Sequence, residues 1–179
     1  MTASIPPGAD SPTPGADSPT PGGAPPLHDA LAPLAGLVGV FTGSGRGDYP
    51  TIDAFAYRER VSFGHVGKPF LAYEQRTSHP QTGAPMHAER GYLRVVGPQR
   101  IELVLAHPTG IVEVQEGTVD TGVLELRSTV VDGSSTAKRV AALRRTFRLD
   151  GDILRYDLWM AYGEVPETHH LHAELHRTD

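Results

Sequence analysis

The sequence predicts an all-β protein, a closed up-and-down antiparallel β-barrel of about ten strands with a short N-terminal helix. Three observations lead there. From residue 38 onward the chain runs in short segments whose side chains alternate apolar and polar. Compact turn signals separate these segments, among them His107-Pro108-Thr109-Gly110, Gly117–Gly122, Asp132-Gly133-Ser134 and Asp150-Gly151-Asp152, with no helical stretch between them. An open sheet of that many strands would leave vulnerable edges, which closure removes.

The elements follow in order. Residues 7–13 read Pro-Gly-Ala-Asp-Ser-Pro-Thr and residues 14–20 repeat them, so residues 1–26 form a low-complexity Pro/Gly/Ala segment. It has one large aliphatic residue besides Met1, Ile5, and no aromatic. Ordering it would lose chain entropy with little burial in return, so it reads as a disordered tail ahead of a single domain over 27–179. Leu27–Ala35 is a short helical candidate containing Pro33. Strands are expected at Val38–Arg46, Phe55–His65, Phe70–Thr77, Met86–Val96, Ile101–Ala106, Ile111–Glu116, Val123–Val131, Val140–Leu149, Ile153–Tyr162 and Thr168–Arg177. A barrel of this strand number is wide enough for an internal ligand cavity, whereas smaller barrels fill with side chains.

Composition narrows the function. The chain is 179 residues long, 39% hydrophobic and 21% charged, which suits one globular domain. Its net charge is −5, of which Asp10 and Asp17 in the tail supply two units, leaving −3 on the domain. Nothing here attracts nucleic acid or an anionic membrane. Arg139, Arg144, Arg145 and Arg148 cluster, and they read as a solvated strand face. Zero Cys excludes disulfides, Cys-ligated zinc and iron–sulfur clusters. No apolar run approaches a membrane span and no secretory leader is evident, so a cytoplasmic location is expected. Any soft metal or haem site must use imidazole, and four of the nine histidines fall in Glu167–Arg177: His169, His170, His172 and His176.

The segment Gly39-Val40-Phe41-Thr42-Gly43-Ser44-Gly45-Arg46-Gly47-Asp48-Tyr49-Pro50-Thr51 resembles the signature of nitrobindins, haem-binding β-barrels similar to fatty-acid-binding proteins, whose pattern is G-x-W-x-G-x-G followed by Y-P-T. Further matches are His65-Val66-Gly67-Lys68-Pro69, Pro85-Met86-His87, Gly91-Tyr92-Leu93-Arg94, Thr109–Val114, Ala137-Lys138 and His170-Leu171, so the resemblance covers residues 28–177. One departure is clear: Phe41 stands where the signature has Trp, which keeps a large aromatic ring but removes the indole N–H.

The resemblance implies a ferric haem b protein that binds nitric oxide and isomerises peroxynitrite to nitrate, with small-molecule partners only. A homodimer is compatible with it. His170 aligns with the iron ligand. Thr51 and Lys138 are candidate partners of the haem propionates, and Met86, His87, His107 and Met160 are candidate cavity-lining residues. Simple alternation puts His170 on the face of His172 and Glu174, opposite Leu171, Ala173 and Leu175. Either a β-bulge re-aims the ring or the strand end sits at a cavity mouth. Two other functions fit parts of the pattern. A barrel with a cavity can carry a fatty acid without catalysis, and His170 with His172 forms an i, i+2 pair of the kind that binds zinc.

Overall fold

The computed structural model describes residues 25–178, and the expected tail over 1–26 lies almost wholly outside them. A 3-10 helix spans Asp29–Leu37. Ten strands follow: β1 (Gly39–Tyr49), β2 (Ile52–Gly64), β3 (Phe70–Ser78), β4 (Pro85–Gly97), β5 (Arg100–Ala106), β6 (Ile111–Asp120), β7 (Val123–Gly133), β8 (Val140–Asp150), β9 (Ile153–Tyr162) and β10 (Val165–Thr178). Each pairs with its sequence neighbour, and β1 pairs antiparallel with β10 to close the barrel. The all-β, ten-stranded antiparallel expectation therefore describes the molecule. One turn differs. Gly117 lies inside β6, and the reversal contracts to Thr121-Gly122, both at positive φ (43° and 79°), as a two-residue hairpin with right-twisted strands requires.

Period-two patterning puts Tyr57, Val61 and Phe63 of β2, Leu103 and Leu105 of β5, and Leu124 and Leu126 of β7 inside, where all are buried. The helix closes one end of the barrel. Leu31, Leu34 and Leu37 recur every three residues, which the three-residue turn of a 3-10 helix stacks into one buried line. Pro33 sits on the opposite, exposed side and breaks nothing. The His28 imidazole caps the helix by accepting from the Ala30 N–H (3.2 Å). At the other terminus the Arg177 guanidinium donates to the Gly36 and Val38 carbonyls (2.6 and 2.7 Å) and packs over the Phe41 ring (4.5 Å). Phe41 is fully buried and meets Phe63 edge-on, so the departure from the tryptophan signature is accommodated by an intact aromatic contact. Among the described residues no helix is long and apolar enough to cross a membrane.

Candidate functional site

The end of the barrel away from the helix opens into a cavity of about 670 Å³. Its apolar walls include Phe55, Ile111, Val140, Leu143, Leu158 and Leu171. Thr51, Met86, His87, His107, Lys138, Met160 and His170 all lie on its surface, so the fold brings the residues that the resemblance picks out for the haem to one chamber. Thr51 comes from the turn after β1, and Lys138 from the exposed loop between β7 and β8.

His170 reaches this chamber through a backbone irregularity. In the β10–β9 ladder His169 faces Trp159 and Leu171 faces Leu158, so His170 is an extra residue in β10 with no partner of its own. This β-bulge lets two consecutive side chains, His170 and Leu171, both line the cavity. Strict in–out alternation therefore breaks at this one position, and the bulge is the reason. β1 slips register between Gly47 and Tyr49 as well, and the intervening Asp48 offers its carbonyl to His170 Nδ1 at 2.9 Å. A carbonyl only accepts, so Nδ1 carries the proton and Nε2 keeps its lone pair. Tyr49 and Phe55 meet the imidazole ring edge-on at 5.3 and 6.3 Å between centroids, and the Tyr49 hydroxyl donates to the Met160 carbonyl (3.1 Å).

The glycine signature makes room for this arrangement. A Cβ on Gly45 would lie 2.3 Å from the Tyr57 ring, and one on Gly47 would lie 2.6 Å from both Leu171 and Phe55. Without side chains at these positions β1 approaches the walls that carry the imidazole.

Beyond the bulge, His172 points outward. Its Nδ1 and the Nε2 of His169 both bond Asp157 Oδ1, at 3.0 and 2.9 Å. The carboxyl of Asp157 is held below its usual range, because the two imidazole hydrogen bonds outweigh the effect of partial burial. His170 and His172 therefore serve opposite sides of the barrel wall, and the i, i+2 zinc pair does not form.

The cavity floor holds a polar cluster that the sequence reading missed. Arg145, expected on a solvated face, is instead only 4% exposed and forms a bidentate pair with Glu89. Burial alone would raise the Glu89 carboxyl, but the Arg145 guanidinium overrides it and holds the group well below the carboxylate range. Tyr73 donates to Glu89 (2.7 Å), His107 Nε2 bonds Glu113 (2.8 Å), and Gln115 donates to the other Glu113 oxygen (2.7 Å). Beside them Glu59 accepts from Gln75 and from the Tyr156 hydroxyl (3.0 Å), which also bonds the Tyr57 hydroxyl (2.9 Å). Burial pushes the Glu59 carboxyl up to about 7. A faint signal was available: Glu59 interrupts the otherwise apolar alternation of Tyr57, Val61 and Phe63.

Could this chamber hold a haem? The donor set fits one. It combines a tautomer-locked imidazole at the wall, apolar sides, and an ammonium and a hydroxyl at the exposed rim where carboxylates need partners. Fold and site together define a ten-stranded barrel of the haem-binding class. The chain belongs to the family described as the THAP4-like, heme-binding beta-barrel domain, whose sequence model matches residues 30–177. It is 52% identical over 154 residues to a protein named peroxynitrite isomerase from Nocardia farcinica, covering 84% of this chain and 92% of that one. It is 53% identical over 154 residues to peroxynitrite isomerase 2 from Mycobacterium avium, covering 84% and 96%. The crystal structure of Rv2717c from M. tuberculosis superposes with a TM-score of 0.81 at 47% identity, over 86% of this chain and all of that one.

Proposed function

We propose that this chain is a ferric haem b protein that isomerises peroxynitrite to nitrate and binds nitric oxide at the same centre. The observation that carries the reading is the bulged His170, whose Nδ1 is committed to the Asp48 carbonyl so that Nε2 is the available donor. The names of the relatives point to the same reaction. Thr51 and Lys138 would meet the haem carboxylates, and Met86, His87, His107 and Met160 would line the remaining space. When bound through His170, a haem would supply the ferric iron chemistry for converting peroxynitrite to nitrate.

The protein's own part is to ligate, orient and enclose. Asp48 fixes the imidazole tautomer, Tyr49 and Phe55 limit its rotation, and the apolar walls reduce the access of bulk water to the chamber. No acid–base pair is required, because the reaction is a rearrangement with no net proton transfer. We read the protein as cytoplasmic, acting on small molecules, with the segment 1–26 taking no part in the chemistry.

A fatty-acid carrier could set its carboxylate against Lys138 at the rim, because the floor guanidinium, Arg145, is paired with Glu89, but it has no use for the bulged His170 and its committed tautomer. The test is hemin titration followed spectroscopically, with His170→Ala as control. Wild type should give a strong Soret band that is lost or shifted in the variant. Stopped-flow decay of peroxynitrite should be faster with the loaded protein than with the same concentration of free hemin. An unaltered Soret band in the variant would remove His170 as the ligand, and decay no faster than with free hemin would remove the isomerase activity.

A further inference from the structure

Two side chains that the haem reading treats only as cavity lining converge with a third, and lining alone does not account for that convergence. His87 and Glu89 stand two residues apart on β4 and share its inner face, and His107 follows the end of β5. His87 Nε2 lies 3.2 Å from His107 Nδ1, His107 Nδ1 lies 3.7 Å from Glu89 Oε2, and His87 Nε2 lies 4.0 Å from the same oxygen. A tetrahedral cation with bonds of about 2.0–2.2 Å sets its ligand atoms about 3.3–3.6 Å apart. The observed triangle brackets that spacing, so an ion at its centre needs only small side-chain adjustments.

The surroundings are those of a ligand set rather than of a chance meeting. His107 Nε2 bonds Glu113 Oε1 at 2.8 Å, and Gln115 in turn holds the other Glu113 oxygen. A carboxylate behind one ring nitrogen fixes the tautomer so that Nδ1 presents its lone pair to the triangle, as second-sphere carboxylates do for metal-bound histidines. Glu89 is anchored by Arg145 and Tyr73, which hold its carboxylate in place while Oε2 still faces both imidazoles. Charge points the same way: Glu89 and Glu113, both buried, share one guanidinium, Arg145. A cation would offset that surplus of negative charge in a low-dielectric floor.

We infer that His87, Glu89 and His107 form a second metal site, separate from His170, for a borderline divalent transition cation of the zinc type. Two imidazoles and one carboxylate select zinc-like ions over calcium or magnesium, which want an all-oxygen shell. In the metal-free state the His87 Nε2–H donates to His107 Nδ1. On binding, that proton moves to His87 Nδ1 and both facing nitrogens become ligands. A solvent molecule from the cavity completes the coordination.

The site does not depend on the haem reading, and the experiment keeps the two apart. The full-length protein, hemin-loaded, is titrated with zinc and assayed for bound metal after gel filtration. Cobalt titration of the hemin-free chain reads coordination through its visible bands. We expect one zinc per chain in the loaded wild type, retained in His170→Ala, which should lose hemin. His87→Ala changes a partly exposed ligand and should weaken zinc binding at least 100-fold. Glu113→Gln, which keeps the volume, should weaken it about 10–100-fold through the second sphere. Tetrahedral cobalt bands should appear in the wild type and vanish in His87→Ala. Sub-stoichiometric zinc in both loaded and hemin-free protein, or an affinity unchanged by His87→Ala, would overturn the inference. So would loss of zinc in His170→Ala, since it would place the ion at the other imidazole.

Discussion

At the scale of single residues, burial decides chemistry that sequence position leaves open. Glu59 is the clearest case, because its carboxyl is 4% exposed and is pushed up to about 7 by burial, which the hydrogen bonds from Gln75 and Tyr156 only partly offset. In the unfolded chain the same group titrates near 4.5. Between those values the folded state holds a proton that the unfolded state has released, so stability falls as pH rises through this window. Glu59→Gln should flatten that fall and raise stability at pH 8 by as much as about 3 kcal/mol, read from urea unfolding at a series of pH values. An unchanged pH profile in the variant would show that another group carries the proton. Arg145 shows why such residues escape a sequence reading. Arg144 and Arg148 flank it on β8 with partners outside, Glu167 and Asp157 respectively. Alternation alone puts Arg145 on the inner face with Leu143 and Phe147, but that a guanidinium can be buried there is visible only once Glu89 and Glu113, distant in sequence, are seen opposite it.

At the scale of elements, period-two patterning made all ten strands legible. It left out what is aperiodic. The bulge in β10 adds one residue between the rungs at His169 and Leu171, and no residue type marks the insertion, so alternation assigned His170 to the outer face. The glycine run in β1 was legible as a motif, yet its purpose needed the barrel, because the rings of Tyr57 and Phe55 arrive from β2. Gly45→Val tests that purpose. Its Cβ would fall 2.3 Å from the Tyr57 ring, which is tied to Tyr156 and cannot move freely. Overpacking of this kind costs about 1–3 kcal/mol, and denaturant midpoints should report it together with weaker hemin retention. A fully stable variant would mean that β1 shifts as a whole to make room.

At the scale of the whole molecule, the barrel separates stability from function along its axis. The sealed end contains the 3-10 helix with its leucine line and the Arg177 clamp, whereas the cavity, the bulge and the polar floor occupy the rest. Leu34 is 1% exposed within that plug, so Leu34→Ala should cost about 2–5 kcal/mol. Arg177→Ala removes charge-assisted bonds to the Gly36 and Val38 carbonyls and the contact over Phe41, at a cost of about 1–3 kcal/mol. Neither residue lines the cavity. Both variants should therefore unfold at lower denaturant concentration while keeping the hemin-bound absorption spectrum of the wild type under native conditions. His170→Ala should do the reverse, losing the spectrum with little change in the stability of the hemin-free chain, because its ring is only half-buried and makes one hydrogen bond. A spectrum that shifts when Leu34 is truncated would show instead that the plug and the chamber are mechanically coupled through the strands. Because neither truncated side chain reaches the chamber, the uncoupled outcome is the expected one.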